Sequence, residues 1–248
     1  MTSFALKFLL SHLPEWIRLE NSKESEFEIT ACPKLADGDD GESFDLIVRE
    51  INARITISEK EVGKKLPTQC PERHINKGGT FCLELDLGQS IDSGARAIQW
   101  WQWLNQYLII QQTTAKKLRI WPKEYALAHG KAAKYQLEIE EAAKQLGWSE
   151  EVLEKILRKK QKILFLLSTH KQKGMIFLRK RAACPWGCSR KGKPIRINKC
   201  NHVDNLLAAE RDFHESEKAY VEELKKQGFQ CCKTMRNCSF NNENNHEI

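Results

Sequence analysis

Two hydrophobic periods divide this chain, and their order limits the folds open to it. Between residues 26 and 58, on either side of a turn or loop at LADGDDGES (35–43), apolar and polar side chains alternate. EFEITAC (26–32) reads as one strand, and FDLIVREINARITIS (44–58) as two more, with Ile51, Ala53, Ile55 and Ile57 on one side. From about residue 94 the spacing becomes three and four. In ARAIQWWQWLNQYLIIQQ, Ala97, Trp101, Leu104 and Leu108 form one helical stripe, with Asp92 or Ser93 as its cap. Trp100, Trp101 and Trp103 cannot share a face, so this helix is expected to be buried on more than one side. An earlier helix, capped by Ser3, carries Phe4, Leu6, Leu9, Leu10 and Leu13 up to Pro14. A helix, a meander and then helices make an α+β order rather than a doubly wound one.

Downstream, residues 123–146 read as helix ending at Gly147, and Ser149 caps another running to about Ser168. The segment from Val203 to Gly228 is amphipathic, through Leu206, Leu207, Phe213, Tyr220, Val221 and Leu224. Charge divides the chain differently. Residues 1–150 hold 19 basic and 22 acidic side chains, whereas 151–248 hold 21 and 11. Such asymmetry predicts two units with different partners, 1–150 and 151–248. No apolar run approaches the roughly 20 residues that span a bilayer. The start, MTSFALKFLLSHLPEW, lacks the basic head and small-residue cleavage site of a secretory signal. The expectation is a cytoplasmic protein without a membrane partner.

The segment CPERHINKGGTFCLELDLG (70–88) is the most informative about chemistry. Read as extended chain, Phe81, Leu83, Leu85 and Leu87 fall on one face, and Thr80, Cys82, Glu84 and Asp86 on the other. A structural free cysteine behaves as a small hydrophobe and belongs with the apolar set. Cys82 instead keeps polar company, just after Gly78–Gly79 and near His74 and Asn76. That setting suits a reactive thiol.

The string His74-Ile75-Asn76-Lys77-Gly78-Gly79-Thr80-Phe81-Cys82-Leu83-Glu84-Leu85 resembles the active-site segment of ubiquitin-conjugating enzymes. There a His-Pro-Asn tripeptide precedes a glycine placed three residues before the catalytic cysteine; here that glycine is Gly79. The resemblance covers roughly residues 1–147. CPERHIN…GTFCL is closer still to divergent bacterial members from antiphage operons with cyclic-oligonucleotide synthases, the CBASS systems. It implies an N-terminal helix, an antiparallel meander and C-terminal helices, with Cys82 as the thioester-forming cysteine. The implied partner is a ubiquitin-like protein or the synthase's own C-terminal glycine, passed on to an amine. Two departures bear on the oxyanion donor. Ile75 replaces the proline, and the position eight before the cysteine is His74, with Asn76 only six before. His74 matches by spacing and Asn76 by chemistry; spacing gives His74 the preference.

Of nine cysteines, six follow residue 183. Cys184, Cys188, Cys200 and His202 give C-x₃-C-x₁₁-C-x-H, two short ligand pairs across a basic loop, the pattern of a closed structural zinc site. CPWGCSRKGKPIRINKCNH also resembles the SEC-C zinc module, departing from it at Trp186-Gly187. Cys231, Cys232 and Cys238 are left without an assignment by their spacing. Runs such as RKKQK (158–162) and RKR (179–181) leave two further readings open. One is a non-catalytic module binding nucleic acid or acidic protein through its basic zinc region, with nucleic acid not the favoured partner. The other is a cysteine hydrolase removing a ubiquitin-like modifier, for which His129 is the candidate base.

Overall fold

The computed structural model describes residues 3–35, 38–85, 90–122, 125–158, 183–184, 187–196, 199–236, 238 and 240. The expected continuation of a helix to Ser168 and most of the basic runs lie outside them. The chain forms two compact units, Met1–Leu127 with Lys225–Ile248, and Ala128–Leu224. The compositional break at residue 150 falls inside the second unit. Among the described residues no helix is long and apolar enough to cross a membrane.

In the first unit, helix α1 (Phe4–Ser11) starts where the Ser3 hydroxyl accepts the Leu6 N–H at 3.2 Å. Four antiparallel strands follow in chain order: β1 (Ile17–Ser22), β2 (Glu26–Ala31), β3 (Phe44–Ile51) and β4 (Arg54–Glu59). The register sets Phe27 opposite Val48 and Val48 opposite Ile57, so one face of the meander is continuously apolar. Asn52 and Ala53 both have positive φ, which closes the β3–β4 hairpin in two residues. Helix α2 (Gly94–Ile110), capped by Ser93 through the Arg96 N–H at 3.3 Å, covers the apolar face. Trp101 lies 6.3 Å from the Phe27 ring and donates to the Leu9 carbonyl at 3.2 Å, tying sheet, α1 and α2 together. Trp100, Trp101, Leu104, Tyr107 and Leu108 are all buried, so α2 is enclosed on more than one side as its tryptophans require. The helix widens into a π-helical stretch, Gln111–Leu118.

The strand β4 ends on a carboxylate with a structural task. Glu59, 5% exposed, accepts the Lys65 N–H at 2.9 Å through Oε1, and the Gly63 and Leu66 N–H groups at 3.2 and 3.1 Å through Oε2. Three donors of an irregular loop are satisfied by one side chain, which fixes the chain's exit toward residue 70. Glu59→Ala should lower unfolding free energy by about 2–3 kcal/mol, because the stranded amides keep their desolvation cost. Glu59→Gln, which retains an acceptor, should lose less. Urea denaturation followed by tryptophan fluorescence measures both.

In the second unit, α3 (Ala132–Leu146) stops at Gly147, whose φ of +64° is the left-handed conformation that ends helices. Its start lies later than the 123 expected from sequence. Helix α4 (Glu150–Leu157) follows Ser149, with Glu150 and Glu151 in its first turn. A short hairpin, β5 (Ser189–Arg190) with β6 (Lys193–Pro194), leads into the long helix α5 (Asn201–Lys226).

Candidate active site and metal centre

After the loop held by Glu59, the chain enters a tight knot. Cys70 and Ile75 exchange both backbone hydrogen bonds at 2.9 Å around a 3₁₀ turn, Pro71–Arg73. The turn ends with His74 in the left-handed region at φ +53°. The carbonyls of Arg73 and His74 are held from α2. The Tyr107 hydroxyl reaches them at 3.2 and 3.4 Å, and the Gln111 amide donates to the Arg73 carbonyl at 2.8 Å. The Arg73 guanidinium returns a bond to Gln111 Oε1 at 2.7 Å. Burial pulls Arg73 below its ordinary range and pushes the fully buried Tyr107 well above its own.

From Asn76 the chain turns back at once. The Asn76 N–H donates to the Thr80 carbonyl at 2.8 Å, and the Gly79 N–H to the Asn76 carbonyl at 3.0 Å. Gly79 has φ +82°, and a Cβ there would stand 2.5 Å from Val62 Cγ1. Only glycine satisfies both conditions. The Phe81 N–H then donates to the Ile57 carbonyl on β4 at 2.8 Å, and the Cys82 N–H to the His74 carbonyl at 2.8 Å. These bonds fix the thiol relative to the sheet.

Cys82 is half-buried and lines a groove of about 180 Å³ with Asn76, Thr80, Leu83, Leu85 and Trp100. Its Sγ lies 3.4 Å from the Glu84 carbonyl. Glu84 is anchored in turn by an ion pair with Arg96, whose guanidinium stacks 4.5 Å from the Trp103 ring. The segment is not the strand that alternation suggested. Past Phe81 its backbone leaves the ladder, the Cys82 N–H going to His74 instead, so Leu83 and Leu85 line the same groove as the thiol rather than the opposite face. Asp86 and Leu87 lie outside the described residues.

The two candidate donors occupy different places. Asn76 is exposed and lines the groove beside Cys82. His74 is 4% exposed; its Nε2 accepts the Leu127 N–H at 3.4 Å, and its ring meets the Trp121 edge at 5.0 Å. It reaches Cys82 through its main-chain carbonyl. Burial therefore points away from the side chain that spacing favoured. His129, the candidate base of the hydrolase reading, is engaged in the second unit. Its ring stacks on Tyr220 at 4.7 Å, and its backbone N–H and Nδ1 bind Glu217 at 2.6 and 3.3 Å. Burial works to raise the Glu217 carboxyl, but the hydrogen bonds and charge of His129 hold it below the usual range.

The four residues of the C-terminal motif converge. One ligand atom from each of Cys184, Cys188, Cys200 and His202 lies within 4.8 Å of all the others. Cys184 Sγ is 2.9 Å from Cys200 Sγ, Cys188 Sγ is 3.8 Å from Cys200 Sγ, and His202 Nδ1 is 3.2 Å from Cys188 Sγ. Donors bonded at 2.3 Å to a tetrahedral ion sit about 3.8 Å apart, so the cluster matches a metal site in size and donor softness. The β5–β6 hairpin, turned by Lys191 and Gly192 with positive φ, presents the first two cysteines. The start of α5 presents Cys200 and His202. The Cys184 N–H to Ile195 and Ile195 N–H to Cys188 bonds, both 2.8 Å, fix the spacing of the first pair.

Both centres lie within stretches that match known families. No curated protein and no solved structure matches the chain. Residues 16–123 match the family described as prokaryotic E2 domain, and residues 128–240 match the cysteine-rich domain C-terminal to the E2 domain. Residues 16–123 thus carry a prokaryotic E2 domain, and residues 128–240 the cysteine-rich domain that follows it.

Proposed function

We propose that this protein accepts the C-terminal glycine of a ubiquitin-like protein or of a cyclic-oligonucleotide synthase as a thioester on Cys82. It then transfers that acyl group to an amine, in antiphage defence. The observation that carries the reading is a half-buried thiol on a groove that also holds Asn76, within a stretch matching a prokaryotic E2 domain. A thioester already stores the acyl group in activated form. The second step therefore needs mainly orientation of the amine and a donor for the tetrahedral oxyanion. The amine attacks the carbonyl carbon, the electron pair moves to oxygen, and collapse expels the Cys82 thiolate.

In this reading Asn76 is the oxyanion donor and His74 a positioning residue whose carbonyl holds the Cys82 N–H. The zinc that the Cys184, Cys188, Cys200 and His202 donors suit is structural, since four protein ligands close a tetrahedral site and leave no position for substrate. The test is incubation of the purified protein with the candidate partner, its activating enzyme and ATP, read by non-reducing electrophoresis. A thiol-sensitive adduct is expected; a partner modified at full rate with no such adduct would overturn the relay. Asn76→Ala should leave adduct formation largely intact and slow transfer to amine about 10²–10³-fold, the usual cost of one lost oxyanion donor. Single-turnover chase of the preformed adduct with lysine measures it.

A further inference from the structure

A second pair of cysteines lies outside both centres. Cys70, fully buried at the root of the knot that carries His74 and Asn76, has its Sγ 2.9 Å from Sγ of Cys232. Cys232 belongs to the segment after α5, which packs within the first unit. There the Arg119 side chain donates to the Thr234 carbonyl at 3.2 Å, and the Arg236 N–H to the Arg119 carbonyl at 2.8 Å. Cys232 is half-buried, and Thr234 Oγ1 lies 3.0 Å from its sulfur. Neither thiol is among the donors of the metal cluster.

We propose that Cys70 and Cys232 form a redox site, a dithiol that a hydroperoxide converts to a disulfide joining the C-terminal segment to the active-site knot. Disulfide sulfurs sit about 2.05 Å apart, so the pair must close by less than about 1 Å. The accessible member, Cys232, attacks first. Its thiolate forms a bond to one peroxide oxygen, the O–O bond breaks, and the departing oxygen takes up a proton. Cys232 is then a sulfenic acid, oxidised by two electrons while the peroxide is reduced by two. The Cys70 sulfur attacks Cys232 Sγ, the S–S bond forms, and the S–O bond breaks. The departing hydroxide takes the Cys70 proton and leaves as water. Reduction by a dithiol reverses the change.

The local chemistry suits this order. Cys232 is drawn down to about 5, first by its hydrogen bond with Cys70, against the effect of burial and with help from Thr234 and the Arg73 charge. The same contact and burial push Cys70 up, so of the two sulfurs the more accessible Cys232 has the greater thiolate character. Both backbone bonds between Cys70 and Ile75 run through the oxidisable residue, so the disulfide would bind the segment after α5 to the loop beneath Cys82.

The experiment treats the full-length, metal-loaded protein with one equivalent of hydrogen peroxide, blocks remaining thiols by alkylation and maps peptides by mass spectrometry. The expected result is a crosslinked peptide pair containing Cys70 and Cys232, lost on dithiol treatment, with a raised thermal midpoint before reduction. Cys232→Ser, at a half-buried position, should remove the crosslink and leave Cys70 unoxidised at the same dose. Full alkylation of both thiols after peroxide would overturn the proposal, as would pairing of Cys232 with another cysteine. Protection of both thiols in the reduced protein, relieved only by a chelator, would also overturn it, since that identifies a metal thiolate. The assay reads thiols and not acyl transfer, so it stands apart from the conjugating activity.

Discussion

Cys82→Ala is expected to abolish adduct formation and to lower amine transfer by about 10⁴-fold or more, the scale of loss when a covalent nucleophile is removed. The fold should hardly notice. The thiol is half-buried, and its sulfur makes a long 3.4 Å contact to the Glu84 carbonyl. Its main-chain bond to His74, which any residue preserves, does the positioning. The loss should be about 1 kcal/mol or less, or roughly 2–4 °C in midpoint. A collapse of stability would mean that the cysteine is a packing residue after all. Cys82→Ser makes the sharper comparison. Its hydroxyl still accepts the acyl group, but as an oxyester that resists thiols and yields to alkali. The variant should therefore accumulate an adduct that survives reductant and transfers poorly. If Cys82→Ala forms the adduct at the wild-type rate, the thioester is on another cysteine or there is none.

The change of hydrophobic period carried most of the architecture. Strands β2 to β4, the Ser3 and Ser93 caps and the end of α3 at Gly147 stand where local pattern places them, but the side expected to join Ile51, Ala53, Ile55 and Ile57 is broken, because the chain reverses at Asn52–Ala53 and leaves Ile51 exposed. Strand β1 escaped because its alternation is only Ile17-Arg18-Leu19-Glu20 long before the polar Asn21-Ser22, and of the six residues only Ile17 is buried. The candidate site was legible in composition and not in orientation. Counting residues aligned His74 with the donor position, but a 3₁₀ turn and a left-handed residue stand between the count and the side-chain direction. The knot sends the imidazole inward and leaves Asn76 at the groove. Alternation likewise misassigned Leu83 and Leu85, since period two has meaning only where a ladder continues. The Cys70–Cys232 pair had no local signal, because 162 residues separate its members.

Removing the metal from the Cys184, Cys188, Cys200 and His202 cluster should unfold its surroundings, and the reason is the poverty of what else holds them. Strands β5 and β6 are two residues each and wholly exposed. In the described stretch 187–196 no residue is buried, and Cys184 and Cys200 supply the hairpin's enclosed atoms. A two-stranded ribbon of this size does not stand alone in water. Zinc held by four protein donors contributes about 10–16 kcal/mol near neutral pH, far more than the short pairing of Ser189 with Pro194 and Arg190 with Lys193. Chelation at neutral pH should therefore free three thiols for alkylation and erase hydrogen-exchange protection across 187–196 and the first turn of α5. The strands of the first unit should stay protected. Cys200→Ser should reproduce that state without chelator, because it removes one of the four converging donor sulfurs while the Cys200 carbonyl still accepts the Val203 N–H at 3.0 Å as α5 begins. Affinity should fall as pH falls, since the thiolates and the imidazole must shed protons to bind. One zinc per chain in the wild type and none in Cys200→Ser, by elemental analysis, would accord with this account. Retention of the hairpin's protection after the metal has gone would show that packing, not coordination, holds it.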